Sequence, residues 1–548
     1  MPDFELARTP KGWQLWVPPL VYEAESPHLD RGVIRTVLSV RIHQDDGMAL
    51  LYCDRVSLTS QQSRQRVVKA LAEKGYDVDD RPLLALHEAC HKYPLRREGE
   101  GDGGGEFSET PPAADLEGLL TTFKRWLLID DPAALTVVVG AVLAHRLGFD
   151  PVWLLVVAPP GGTKSEILRA LVDYPGIYPL SDLSARTFAS GLDSPSGDPS
   201  LLARLKDEVL VLKDFTTVLQ KPHEEMAAIF AQLREIYDGQ FDRAWGTGRE
   251  LHWRGRLGFV AGVTPIIDKH HAALSVLGER FVLLRPAMPD REEMAAKALE
   301  CAGQEATMRR ELATVVHGFL AARGNARPSI EAGKARVLAA VADFVTRARS
   351  GVVRDGHKRE LEYAPEPEAP TRFAKVLYAL ASGIAVARDQ DDVTDRELAT
   401  VLRVALDCLP IIRRRVIGAL VQGVIADSDG ALATRAIANA AQFSTPAIRR
   451  ALEDLQALGL VMCCKAESRG EADTWVLVER WATVFRTLSK AAEASGSEGV
   501  SEKAIPPSPL LAAEHSPEPP LANGHMATGT HGFVSKRLVE EEEAAWTR

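Results

Sequence analysis

The chain has 548 residues but only six cysteines and no C-x-x-C pair. That argues against a disulfide framework and against a zinc ribbon, and the adjacent Cys463 and Cys464 suit neither use. An excess of positive charge is also missing: 65 Lys and Arg face 75 Asp and Glu, for a net charge of -10. Attraction of the whole surface to nucleic acid is therefore excluded, while a local basic groove is not. Long apolar runs are scarce. The longest, AALTVVVGAVLA over Ala133 to Ala144, is broken by His145 and Arg146 and falls short of the ~20 residues a membrane span needs. It is expected to form a buried helix, with no membrane partner. The start, MPDFELARTPKGW, lacks a basic stretch followed by an apolar core, so no signal peptide is expected. Free thiols point to a reducing cytoplasm.

What is present is ordinary for a globular protein: 46% apolar and 26% charged residues. The length allows about three or four domains. Residues 1–97 read as a small α+β module, with strands at Val33 to Ile42 and Met48 to Leu58 joined by Asp45-Asp46-Gly47. Ser60 is placed to cap a following helix, and Gly75 to stop it. The same module holds H-E-x-x-H at His87, Glu88 and His91, a spacing that puts two imidazoles on one helix face for zinc. Pro94 ends that helix at once and no third ligand is obvious downstream, so a surface helix is favoured over a zinc peptidase.

Residues 98–115 (EGEGDGGGEFSETPPAAD) change composition and are expected to be a flexible linker. An α/β core follows over 116–290, with apolar strands at Val152 to Val157, Glu208 to Leu212 and Gly258 to Val263. A helical lid is expected over 291–410, a winged helix over 411–482, and a largely disordered tail over 483–548.

The core carries the chemistry. VWLLVVAPPGGTKSEILRAL joins a buried strand, a Gly/Pro loop and the start of a helix. In such a loop the backbone amides surround phosphates and a Lys reaches the β/γ oxygens. Ala158 to Ser165 (APPGGTKS) has the length of G-x-x-x-x-G-K-[ST], with Ala158 and Thr163 where glycines are usual. Pro160, Gly161, Gly162, Thr163, Lys164 and Ser165 are thus the expected phosphate contacts, Ser165 also holding Mg2+. Some fifty residues on, EVLVLKDF ends a strand at Asp214, either as the metal ligand or as the group that activates water. The rest is a Gly246-Thr247-Gly248-Arg249 hairpin tip, a strand ending in Thr264, and Arg280 after a Gly turn and before a further strand.

That order of strand, phosphate loop, acidic strand, basic hairpin, polar strand end and G-x-R-F resembles the AAA+ ATPases. Within them it is similar to the helicase-like branch of phages, plasmids and integrated elements, related to superfamily 3 helicases. The APPGGTKS loop also resembles minichromosome-maintenance helicases. Roughly Leu116 to Leu420 is covered. The resemblance implies ATP and Mg2+ at Lys164, Ser165 and Asp214, Thr264 as the polar first sensor, and Arg280 as an arginine finger acting on a neighbouring subunit. It implies Arg249 as a DNA contact in the channel of a ring, expected to be hexameric, and Arg372 as the second sensor.

The winged helix is read from Thr434 to Ala441 and a second helix, AIRRALEDLQALGLV, capped by Ser444 with Thr445 and Pro446. Val461 to Leu477 would be the wing, turning at Ser468-Arg469-Gly470. Arg449 and Arg450 are available for DNA, yet nine basic residues between Ile411 and Arg480 face eight acidic ones, so protein contact stays open. The leading expectation is an ATP-driven DNA motor for replication of a mobile element, with replication proteins as further partners. Its rival is an ATP-switched DNA- or protein-binding regulator or loader with little motor activity.

Overall fold

The computed structural model describes residues 5–9, 12–30, 33–44, 47–76, 78–92, 114–161, 163–191, 200–246, 248–270, 280–357, 360–426, 430–466 and 472–494. The chain divides into two units, 1–506 and 507–548. The second unit, most of the expected linker and most of the expected tail lie outside the described residues.

The N-terminal module is richer in strands than two readable hairpin arms suggested. β1 (Glu5–Thr9), β2 (Gly12–Val17), β3 (Leu20–Asp30), β4 (Val33–Gln44) and β5 (Gly47–Ser57) form an antiparallel meander in chain order. Gln44 pairs with Gly47, so the expected Asp45-Asp46 turn falls between them, on residues outside the description. Two helices follow, α1 (Gln61–Ala72) and α2 (Arg81–Lys92). The Ser60 hydroxyl accepts the N–H of Ser63, and Gly75 stops the helix with φ +88°. Alternation along β2 to β4 brings Trp13, Leu15, Tyr22, Ala24, Leu38 and Val40 into one core with Val67, Leu71, Leu83 and Leu86 of the helices.

The larger core begins with α3 (Leu116–Trp126), whose first turn is capped by Asp115 Oδ1 on the Gly118 N–H at 2.7 Å. The apolar run becomes α4 (Pro132–Arg146), buried from Ala134 to His145. No helix among the described residues is long and apolar enough to cross a membrane. A mixed α/β layer follows: β6 (Trp153–Val157), α5 (Lys164–Ala170), β7 (Ile177–Leu180), β8 (Val209–Leu212), α6 (Thr216–Leu219) and α7 (His223–Tyr237). The hairpin of β9 (Gln240–Ala244) and β10 (Glu250–Arg254) then precedes β11 (Gly258–Val263) and β12 (Phe281–Leu284). Five of these strands make a parallel sheet in the order β12-β6-β11-β8-β7. The strands WLLVV, VLVL, GFVAGV and, at one edge, FVLL are buried throughout, as strands covered on both faces must be.

Helices Arg291–Glu300, Glu305–Ala321, Ala332–Arg349, Thr371–Ala387 and Asp395–Asp407 occupy the region expected to be a helical lid. A short hairpin interrupts them, β13 (Val353–Arg354) with β14 (Leu361–Tyr363). The helical region is tied to the sheet by buried charges. Arg403 grips the Asp131 carboxylate, Nη1 to Oδ1 at 2.8 Å, and the same carboxylate accepts the Ala287 N–H at 3.1 Å. Arg285, just past β12, forks onto Asp268 at 3.1 and 2.6 Å and donates to the Asp407 carbonyl at 3.0 Å.

The C-terminal part packs helices Ile411–Ala426, Thr434–Ala441 and Thr445–Ala457 with an antiparallel sheet ordered β15 (Leu432–Ala433), β17 (Thr474–Leu477), β16 (Val461–Cys464). The Ser468-Arg469-Gly470 turn lies outside the described residues. Ser444 has the extended backbone of a cap, but its side chain makes no capping bond. A last helix, Glu479–Ala494, carries order beyond the expected boundary at 483, because Trp481 and Phe485 pack edge-to-face on Phe344 at 5.4 and 5.1 Å.

Two stability outcomes follow from buried charge. Asp131→Ala strands the Arg403 guanidinium and is expected to cost about 3–5 kcal/mol in a urea unfolding titration. His145, buried on α4 beside Arg256 and Asp207, has its pKa pushed down to about 4 by burial and by Arg256, against the pull of Asp207. The unfolded chain takes up this proton near pH 6.5 while the folded one does not, so stability is full above that pH and falls as pH drops toward 4. The loss is roughly 3 kcal/mol at about 1.4 kcal/mol per pH unit. Unfolding midpoints of His145→Gln against pH should be flatter than those of the parent in this window.

Candidate functional site

The parallel register decides which residues can meet. Phe259 to Val263 of β11 pair with Trp153 to Val157 of β6, and Gly258 to Ala261 pair with Val209 to Leu212 of β8. The segments leaving β6, β8 and β11 therefore emerge together at the C-terminal edge of the sheet. These are the phosphate-loop candidate, the Asp214 turn and Thr264.

The loop turns through a left-handed backbone at Gly161, φ +79°, where a side chain would be strained. Gly162 lies outside the described residues. Thr163 is right-handed helical at φ -62°, ψ -9°, a conformation open to β-branched residues. Thr in place of Gly therefore costs this loop no backbone strain. Pro160 is exposed at the loop's crest, and Ser165 is half-buried in the first turn of α5. Lys164 is only 6% exposed. Its ammonium donates to the Ala158 and Pro159 carbonyls at 3.0 and 3.1 Å. Burial lowers its pKa, while the nearby Asp214 carboxylate pulls it back up.

Gly262 of β11 lies beside this lysine, closely packed under the Lys213 carbonyl. A Cβ at Gly262 would stand 2.7 Å from the Lys213 carbonyl oxygen, 3.3 Å from Leu168 Cδ1 and 3.4 Å from Lys164 Cδ. The loop is also stitched to the same strand by the Ala158 N–H on the Val263 carbonyl at 3.1 Å.

Asp214 stands two residues past β8. One carboxylate oxygen accepts the Thr216 N–H at 2.9 Å, holding the turn into α6. Thr264 is bound to the same turn: its N–H donates to Thr216 Oγ1 at 3.0 Å, and the two hydroxyls lie 3.2 Å apart. Thr216, 7% exposed, thus touches both expected site residues. Its one sequence signal was the D-x-T spacing of an Asx turn.

A buried ammonium, a carboxylate and a hydroxyl on one edge suit a phosphate with a divalent cation. Among the described residues no group of three His, Cys, Asp or Glu could hold a metal by itself. A cation here would rest on Ser165, Asp214 and the phosphate's own oxygens, as Mg2+ commonly does. His87 and Glu88 of the H-E-x-x-H segment lie on α2, while the side chain of His91 lies outside the described residues.

Arg280 is not brought to this edge. It precedes Phe281, which pairs with Trp153, so it sits at the opposite, N-terminal edge. The sheet separates the two by roughly 13 Å at ~3.3 Å per residue. There Arg280 is 5% exposed and closed on the Asp238 carboxylate at 3.0 and 2.7 Å, over the Tyr237 ring. Arg372, expected beside the nucleotide of its own subunit, is found near Arg280 instead, close enough for their like charges to oppose. It bonds Glu368 at 3.2 Å. The helix Thr371–Ala387 delivers it to the edge away from Lys164.

At the β9–β10 hairpin, Arg243 and Arg249 lie 5.6 and 5.9 Å from the Trp245 ring centre. Thr247 lies outside the described residues. The result is an Arg–Trp–Arg cluster at the hairpin tip, of which only Arg249 was singled out from sequence. Far from Lys164, Arg449 and Arg450 are exposed on the helix Thr445–Ala457 and border a cleft of about 780 Å3. Its other wall is the β13–β14 hairpin, through Arg354, Glu360 and Leu361. Arg354 fastens the hairpin there, donating to the Arg450 carbonyl, Glu453 and Asp454 at 3.0, 3.1 and 2.9 Å.

In comparisons with known proteins, no family model and no curated protein matches this chain.

Gly262→Ala tests the close approach directly. The Lys213 carbonyl is backbone and cannot turn aside, so a loss of about 1–3 kcal/mol is expected in thermal unfolding. Gly161→Ala, by contrast, meets no atom within 4 Å and should cost only the strain of its φ, about 1 kcal/mol.

Proposed function

We propose that this chain is an AAA+ ATPase of the helicase-like kind that works on DNA as a ring. The observation that carries the reading is the split of charge between the two sheet edges. Lys164, Asp214 and Thr264 converge on one edge, while Arg280 and Arg372 stand at the other. An arginine roughly 13 Å from its own phosphate loop cannot serve that loop, but it suits the loop of an adjacent copy. A ring supplies such a neighbour at every position.

In this reading ATP lies against the loop Ala158–Ser165. Lys164 leaves the Ala158 and Pro159 carbonyls for the β/γ oxygens. Mg2+, when bound through Ser165 and Asp214, neutralises charge on the terminal phosphates. Arg280 then has to leave Asp238 to reach the next subunit's nucleotide, and Arg372 is read as acting beside it across the same interface rather than on its own nucleotide. The Arg243, Trp245 and Arg249 cluster offers cations and a ring face to a single strand, where bases stack and phosphates pair. The C-terminal part is read as a winged helix. Arg354 holds the β13–β14 hairpin against its second helix, and Arg449 and Arg450 stay exposed beside it as DNA contacts.

A second reading, an ATP-switched regulator with little turnover, is favoured by one feature. Asp214 has an oxygen committed to the Thr216 N–H and follows Lys213 rather than a second acid. Turnover with and without single-stranded DNA separates the two: a motor is stimulated, a switch binds ATP without stimulation.

Lys164→Ala is expected to abolish ATP binding. Arg280→Ala should keep binding and lose about a thousandfold in turnover, the scale of an arginine finger. Mixing the two inactive variants should restore part of the turnover, because a ring then contains interfaces with an intact loop and an intact finger. No recovery on mixing would count against the shared site.

A further inference from the structure

Thr216 touches both Asp214 and Thr264, through three hydrogen bonds. Its N–H donates to Asp214 Oδ1 at 2.9 Å. Its Oγ1 accepts the Thr264 N–H at 3.0 Å. Its hydroxyl proton is directed at Thr264 Oγ1, 3.2 Å away. The turn that carries it is held on β11 by the Phe215 N–H on the Gly262 carbonyl at 2.6 Å, and the side chain is buried.

A hydroxyl has one proton and two lone pairs. Because Thr264 Oγ1 receives the Thr216 proton, one of its lone pairs is taken and its own proton is directed to some other acceptor. The Asp214 carboxylate is engaged by the Thr216 N–H and the Ala158 and Pro159 carbonyls by Lys164, so a phosphoryl oxygen bound at this edge would be a well-matched acceptor for the Thr264 proton. A water held by that proton would be an acceptor too, and would thereby become a poorer nucleophile. Thr264 is thus matched to the terminal phosphoryl group, while the Asp214 carboxylate, held by the Thr216 N–H, is left to Mg2+.

We infer that Thr216 is a positioning residue for ATP hydrolysis: it fixes the Asp214 carboxylate through its N–H and makes Thr264 a donor to the terminal phosphoryl group through its hydroxyl. This rests on the reading that ATP is hydrolysed at this edge. Its consequence is a division of roles. Ground-state ATP is gripped by the loop and Lys164, while the hydroxyl pair acts where charge develops on the transferring group.

The test uses the full chain with Mg2+ and compares Thr216→Val, Thr216→Ser and Thr264→Val. Three quantities are read: turnover, the dissociation constant for ATP, and that for ADP with aluminium fluoride, which imitates the transferring phosphoryl group. Thr216→Val keeps the N–H to Asp214 and deletes only the hydroxyl. It is expected to lower turnover about tenfold or more and to weaken the aluminium fluoride complex in step, with ATP affinity changed less than about threefold. Thr216→Ser should restore most of the turnover. Joining Thr216→Val to Thr264→Val should do little more harm than Thr264→Val alone, because both act through one bond. If Thr216→Val does not fold, judged by its thermal unfolding, Thr264→Val and Thr216→Ser carry the same kinetic comparison.

Parent-like turnover in Thr216→Val overturns the assignment while leaving the ATPase reading intact. So does an equal loss of ATP affinity and turnover, or a serine variant as impaired as valine. A parent protein that neither binds nor hydrolyses ATP removes the ATPase reading, and Thr216 falls with it.

Discussion

The insertion of β11 between β6 and β8 is the constraint on which the candidate site depends. Parallel pairing on both sides of β11 fixes where three chain segments leave the sheet. It forces the loop after Val157, the turn after Leu212 and the residue after Val263 to one edge. The same pairing demands a residue without a side chain at Gly262, where a Cβ would stand 2.7 Å from the Lys213 carbonyl oxygen. A buried ammonium in such a place is costly unless it finds oxygen partners, and the Ala158 and Pro159 carbonyls supply them. Phosphate oxygens would be stronger partners still.

Charge is also what joins the sheet to the helices that follow. Arg285 at the end of β12 reaches Asp268, four residues past Thr264, and also the end of helix Asp395–Asp407. Arg403 on that helix returns to Asp131 at the start of α4. A movement at the Lys164 edge is therefore mechanically connected to the helical region through bidentate guanidinium contacts, which tolerate little misalignment.

Much of the core was legible because buried parallel strands are short apolar runs with turn residues on either side. β6, β8 and β11 are of that kind, and so is the apolar α4. β7 was not, since Ile177 to Leu180 contains a proline and sits at the sheet edge, where burial is partial. β1 to β3 were missed because Pro18, Pro19 and Pro27 break the run that a strand reading looks for. Thr163 looked like a defect in the loop, yet the left-handed turn falls on Gly161. The placement of Arg372 could not be read at all: a residue at a helix start carries no mark of which sheet edge the helix will reach.

Calorimetric titration of the full chain with ATP and Mg2+, beside Lys164→Ala, addresses the central claim most directly. Saturable binding near one nucleotide per chain is expected in the parent and none in the variant. Equal binding by both, or no heat from either under conditions where the protein is folded, would contradict it.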